Sequence, residues 1–243
     1  MRKNKGDLTK ALSTIPESDY LDLDLTNYTT ESDVFNPNIL SKEIRDKVGS
    51  LTLPDTIKEL NCNSDFCLLF SNLCKISGKN VLLIDDYTFE NCTSLISIDI
   101  PKVLRTGKFS FSYCRSLESV KFHYLTTIDN NSFENCSNLT TIELPNVTSI
   151  GDNVFEGCSK LTSIKLPSVR SIGNGSFDSC KSLEVIELPY LSSIGDEVFY
   201  GCSSLETISL PKIHEVDDSV FYNCYSLKTV NLFVEDVSNE LFD

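Results

Sequence analysis

Residues 151–169 read GDNVFEGCSKLTSIKLPSV, and this stretch recurs through the second two-thirds of the chain at a fixed interval. Cys92, Cys114, Cys136, Cys158, Cys180, Cys202 and Cys224 stand 22 residues apart. Phenylalanine keeps the same beat three residues earlier, from Phe89 to Phe221, and leucine three residues later, from Leu95 to Leu227. Seven copies in register cannot arise by chance. Self-similarity at such a period marks a repeat solenoid, in which each turn buries its apolar face only by stacking on its neighbours.

Each column of the repeat has a physical reading. Leu161, Ile164 and Leu166 point inward, and their alternation makes TSIKL a short parallel strand whose neighbours lie one turn away. Pro167 ends that strand because it has no N–H for the ladder; Pro101, Pro145, Pro189 and Pro211 repeat it, and His123 and Phe233 replace it. Val169 and Ile172 carry apolar side chains back across the turn. Gly151, Gly173 and Gly195 follow the second isoleucine and suggest a backbone of positive φ, with Asp129 and Asp217 as substitutes. Asp or Asn at 130, 152, 174, 196 and 218 can cap a single helical turn. The phenylalanine three residues on anchors that turn, and Asn91, Asn135, Gly157, Gly201 and Asn223 close it in the left-handed conformation. The expected fold is a leucine-rich repeat solenoid with parallel strands on the inner face and short helical corners opposite.

The period divides the chain. Residues 1–48 do not follow it and read as an N-terminal cap, polar and irregular, with a strand at Leu21, Leu23 and Leu25 and a short helix from Ser41 to Val48. Residues 49–88 read as degenerate repeats, 89–232 as the regular ones, and 233–243 as a closing segment.

The columns L-x-x-I-x-L-P-x-V-x-x-I-G-x-x-x-F-x-x-C-x-x-L resemble the BspA-type leucine-rich repeat, a class found in bacterial surface proteins and in large families of mucosal protists. The resemblance is strong over 89–232 and weak over about 50–88. It implies a binding or adhesion module without enzymatic activity, of a kind often displayed at a cell surface.

The 35 acidic against 21 basic residues leave a net charge of −14, which argues against nucleic acid or an anionic membrane as partner. No apolar run approaches the roughly 20 residues that span a bilayer, and the basic amino end has no apolar stretch behind it. Stacked turns bring the repeated cysteines about 4.8 Å apart, within reach of a bridge, yet in-register side chains point the same way. Free buried thiols in a reducing compartment are therefore expected, and a cytoplasmic location with them, a cell-surface location remaining open if a leader precedes this sequence. In that setting the seven Asn-x-Ser/Thr sequons, at 27, 91, 130, 135, 138, 146 and 174, are expected to go unused.

Raw material for chemistry is scarce. His123 and His214 stand in different columns, and Cys62, Cys67 and Cys74 lack the paired spacing of a structural zinc site. No nucleotide-binding glycine motif occurs. Neither enzyme nor cofactor nor metal is expected; the functional question is which surface binds a protein partner. On the strand face, Ser119, Thr141, Ser163 and Val185 lie within a small, mostly hydroxylated column, and Lys121, Glu143, Lys165 and Glu187 within one of alternating charge. The charges either pair with one another along the stack or meet a partner of complementary pattern. On the opposite side Glu134, Glu156 and Asp178 stack like charge on like charge, and Tyr200 and Tyr222 continue the column. That stripe is solvated, or it meets a cation or a basic partner, while the tyrosines mark an interface or cover the end of the stack. Self-association end to end is the structural rival.

Overall fold

A computed structural model describes residues 20–61 and 66–233. Each 22-residue period forms one rung, and successive rungs are joined by two parallel sheets and a ladder of turns. The first sheet contains the strands Leu21–Asp24, Val48–Thr52, Lys75–Ser77, Ser97–Asp99, Ser119–Lys121, Thr141–Glu143, Ser163–Lys165 and Val185–Glu187, side by side in that order. Register follows the columns: Ile142 lies opposite Val120 and Glu143 opposite Lys121, while Ile164 faces Ile186. The central isoleucine is buried and its flanking residues are open, as period-two alternation requires.

A second sheet runs through Glu59–Leu60, Leu83–Ile84, Arg105–Thr106, Thr127–Ile128, Ser149–Ile150, Ser171–Ile172 and Ser193–Ile194. Two-residue strands show no alternation in sequence, so this column read only as an apolar return.

The third side differs from the helical corner that the sequence suggested. Asn131, Phe133 and Asn135 donate their N–H groups to the carbonyls of Asp152, Val154 and Glu156 one rung later, at 2.9, 2.9 and 2.6 Å. Asn131 (φ 59°) and Asn135 (φ 55°) bracket Phe133 in the left-handed region, as Asn153 and Gly157 bracket Phe155. A helical turn would aim these donors along its own chain; alternating handedness aims every second one at the neighbouring rung. Asn91, Asn135, Gly157, Gly201 and Asn223 do have the expected positive φ. Among the described corners from 87 onward, Asp218–Phe221 alone forms a short 3-10 helix, capped by Asp217.

The glycine and Asp/Asn columns also act differently from their reading in sequence. Gly151, Gly173 and Gly195 are not among the residues of positive φ, nor is Asp129, and Asp217 has φ −65°. The Asp/Asn side chains reach across rungs: Oδ1 of Asn130, Asp152 and Asn174 accepts from the N–H of Asp152, Asn174 and Asp196, at 3.0, 2.9 and 3.0 Å. A Cβ on Gly151 would overlap Asn130 Oδ1 and lie 2.9 Å from Asn130 N. Glycine is required here by close approach.

Gly151, Gly173 and Gly195 each donate to the isoleucine carbonyl one rung back at 2.9 Å, a bond without a counterpart at Asp129 or Asp217 among the described residues. Both long sheets stop before the rung carrying Asp217, and Thr207–Leu210 pairs with Thr229–Leu232 as a separate two-stranded sheet. The turn ladder still joins it to the body, through Phe199 N to Val220 O and Gly201 N to Tyr222 O.

The core is a set of columns. Phe89, Phe111, Phe133, Phe155, Phe177 and Phe199 are wholly buried and, with Phe221, stack at 5.0 to 5.7 Å between centroids. Cys114, Cys136, Cys158, Cys180 and Cys202 are buried free thiols. Each donates to the carbonyl of the phenylalanine 25 residues back, at 3.1 to 3.2 Å. Burial pushes all five thiols up, away from the reactive thiolate. Cys92 departs from the expectation, because it forms a disulfide with Cys67. The argument from parallel columns does not reach this pair: Cys67 lies in the short helix Phe66–Leu69 of an irregular rung, outside the Cys92 column. Cys62 lies outside the described residues.

At the amino end, Leu21–Asp24 pairs with Val48–Thr52, and the helix Lys42–Arg45 begins after Ser41, whose side chain makes no capping bond. Leu23, Leu25, Phe35, Leu40 and Ile44 are buried. The described part of this segment is irregular, forms the edge of the first sheet, turns these apolar side chains onto the first rungs and leaves Asp22, Asp24, Glu31 and Asp33 exposed. Residues 1–19 and 234–243 fall outside the described residues.

Candidate binding surface

The strand face is positioned by the buried isoleucines. Because Val120, Ile142, Ile164 and Ile186 point inward, the residues on either side of them must point out. Ser119 is half-buried, whereas Thr141, Ser163, Val185, Lys121, Glu143, Lys165 and Glu187 are exposed. The structure brings all eight onto one surface, in two columns that follow sheet register.

The charge column is satisfied at one end only. Lys121 Nζ lies 2.7 Å from Glu143 Oε1, and this contact, chiefly its hydrogen bond, holds the Glu143 carboxyl below its ordinary range. Glu143 also lies in register with Lys165, and Lys165 with Glu187, yet no ion pair joins either set among the described residues. Lys165 and Glu187 thus present free charges, with the exposed apolar side chain of Val185 beside Ile186. Sequence alone could not show this asymmetry, since every step of the alternation looks equivalent. Beyond the strand edge, Lys212 Nζ stands 4.9 Å over the Tyr190 ring. The aromatic residue after Pro189 was the available signal for that pair, and it was missed.

The opposite surface is more self-satisfied. Glu134 accepts from Ser112 Oγ, Asn131 Nδ2 and Asn135 Nδ2, and Asp178 accepts from Ser179 Oγ. Glu156 lies between them with its carboxyl raised, first by burial and then by the charges of Glu134 and Asp178. The Tyr113 hydroxyl is raised mainly by Glu134. Tyr200 and Tyr222 stack at 5.5 Å, and Asn223 links the Tyr200 and Tyr225 hydroxyls.

His123 and His214 are both exposed and stand on different rungs, His214 edge-on to Phe233. Among the described residues, no group of three or more His, Cys, Asp or Glu is placed to hold a metal, and no helix is long and apolar enough to cross a membrane.

The model of the BspA type leucine-rich repeat region matches residues 44–140 and 126–243, in six copies. The chain belongs to the BspA-type leucine-rich repeat family. A solved relative in fold is a leucine-rich repeat protein from Bacteroides ovatus, 27% identical, with TM-score 0.59 over 77% of this BspA-type chain and 61% of that one. The T. pallidum leucine-rich repeat protein is 24% identical, with TM-score 0.49 and coverage of 75% and 69%. A leucine-rich cell surface protein from Faecalibacterium prausnitzii is 19% identical, with TM-score 0.32 and coverage of 77% and 88%. This BspA-type chain thus spans about three-fifths of the B. ovatus protein. No curated protein matches it in sequence.

Proposed function

We propose that this BspA-type chain is a non-catalytic protein-binding module that engages its partner on the strand face between Ser119 and Glu187. The observation that carries the reading is the exposed, unpaired Lys165 between Glu143 and Glu187, beside a second column of short hydroxyl side chains and Val185. Paired surface charges gain little from a partner, whereas unpaired ones on a rigid sheet offer steering and register without first breaking a contact. Small neighbours let a partner's backbone approach closely. The partner that fits is a protein segment with an acidic group for Lys165 and a basic one for Glu187.

The test is affinity capture from the native cell's lysate and surface fractions, comparing wild type, Lys165→Glu with Glu187→Lys, and Glu134→Ala with Asp178→Ala. A partner lost only with the first pair supports the strand face. Loss only with the second pair moves the site to the acidic stripe, and recovery of nothing but the protein itself replaces the reading with self-association.

One observation favours a second reading, a cell-surface adhesin: the Cys67–Cys92 disulfide belongs to an oxidising environment. Labelling intact cells with an impermeant amine reagent decides it. Labelled protein supports the adhesin, and protein labelled only after lysis removes it.

A further inference from the structure

The turn ladder is interrupted at one described place near the amino end. Between the corners at 87–91 and 108–112, Tyr87, Phe89 and Asn91 donate to Lys108, Ser110 and Ser112, at 2.9, 2.8 and 2.8 Å. One rung earlier the corner is the helix Phe66–Leu69, whose Phe66 carbonyl is taken by Phe70 N–H of the same segment. Among the described residues, no backbone bond joins 66–70 to 87–92. The disulfide of Cys67 and Cys92 stands there instead. Next to Cys67 in the chain, Phe66 centres an aromatic cluster, meeting Phe89 at 4.9 Å, Phe70 at 5.0 Å and Phe35 at 6.2 Å.

The cysteine column shows what the reduced state looks like. In each regular rung the thiol donates to a carbonyl 25 residues back, and 25 residues before Cys92 is Cys67 itself. Access is one-sided: Cys67 is half-exposed, with the exposed Leu68 beside it, while Cys92 is buried.

We propose that Cys67–Cys92 is a redox latch that closes the 66–70 corner on the first regular rung in place of the turn ladder. A dithiol reductant attacks Cys67 Sγ as thiolate and forms a mixed disulfide, and Cys92 leaves as thiolate and takes a proton. The second thiol of the reductant then closes its own disulfide and releases Cys67, so two electrons pass from the dithiol to the pair. The strand ladders at Lys75–Ser77 with Ser97–Asp99 and at Glu59–Leu60 with Leu83–Ile84 stay intact. Opening is confined to the corner and uncovers its aromatic cluster.

The experiment is hydrogen exchange by mass spectrometry on the full chain before and after dithiothreitol under native conditions, with alkylation of free thiols in parallel. Before reduction Cys67 and Cys92 resist alkylation; after it both react, while Cys136, Cys158 and Cys180 stay protected. Exchange of the 66–74 peptide rises by about tenfold or more on reduction, and peptides from 133–199 do not change. A variant with Cys67→Ser and Cys92→Ser reproduces the fast exchange and is indifferent to dithiothreitol. Alkylation of both cysteines in the untreated folded protein overturns the latch, as does a 66–74 exchange rate that reduction leaves unchanged.

Discussion

Asn130 Oδ1 accepts the backbone N–H of Asp152 at 3.0 Å, across the space that a side chain on Gly151 would fill. The two positions depend on each other: the Asp/Asn column can ladder between rungs only where the glycine column stays bare. Both long sheets end before the rung in which Asp217 occupies the glycine column, whereas the second sheet runs on past Asp129.

Gly151→Ala is therefore expected to destabilise the protein by about 1 to 3 kcal/mol, the usual cost of forcing an extra methyl into a packed place. Adding Asn130→Ala should recover part of the loss, because the overlapping oxygen goes while Asn130 N and Ile128 O remain close. Denaturant midpoints of the two variants check this. A Gly151→Ala protein as stable as wild type would mean that the rungs are looser than these contacts allow.

Phe155 lies between Phe133 at 5.7 Å and Phe177 at 5.2 Å and is wholly buried. Phe155→Ala should cost about 3 to 5 kcal/mol, and urea unfolding measures it. Phe155→Leu refills much of the volume and should cost less. Equal losses would point to ring stacking, and not filled volume, as the main contribution of the column.

How far the sequence could be read follows from the length over which each feature repeats. The Phe, Cys and Leu columns and the I-x-L strand are visible because side-chain type itself is periodic. The second sheet was hidden in two-residue strands such as Ser149–Ile150, and the turn ladder in backbone handedness that Asn, Gly, Tyr113 and Ser179 all adopt. Gly151 was picked out for the wrong property, positive φ in place of close approach, since a bare Cα serves both. Cys67–Cys92 was not legible because its partners sit in different columns. At the strand face, the positions of Lys121 to Glu187 followed from alternation, but which lysine closes a pair depends on side-chain conformations that no pattern encodes.

Glu156 allows a test by pH. Its carboxyl is raised by burial and by Glu134 and Asp178, so the folded state holds this proton more tightly than the unfolded chain. Stability linked to Glu156 therefore falls as pH rises from the ordinary glutamate value, about 4.3, through the raised folded value, and the penalty is complete above that. Glu156→Gln should raise the melting temperature at pH 7, with the gain shrinking towards pH 4. A variant that melts lower than wild type at pH 7 would show that ionised Glu156 gains more from a contact than it loses by burial.

Lys121 and Glu143 separate structure from recognition on the strand face. The lowered Glu143 carboxyl contributes stability that is present above the ordinary glutamate range and lost as pH falls through its folded value. Both side chains are more than half exposed, so solvent screens the pair and the contribution is small. Glu143→Lys places a third ammonium between Lys121 and Lys165; melting should scarcely move, while affinity for a partner held by this face should fall strongly. The swap Lys121→Glu with Glu143→Lys restores the ion pair but reverses the pattern that a partner meets. Calorimetry and binding on the same samples then diverge if the face recognises charge: the swap melts like wild type and still fails to bind. A swap that recovers binding together with stability would make the pair structural and place recognition elsewhere.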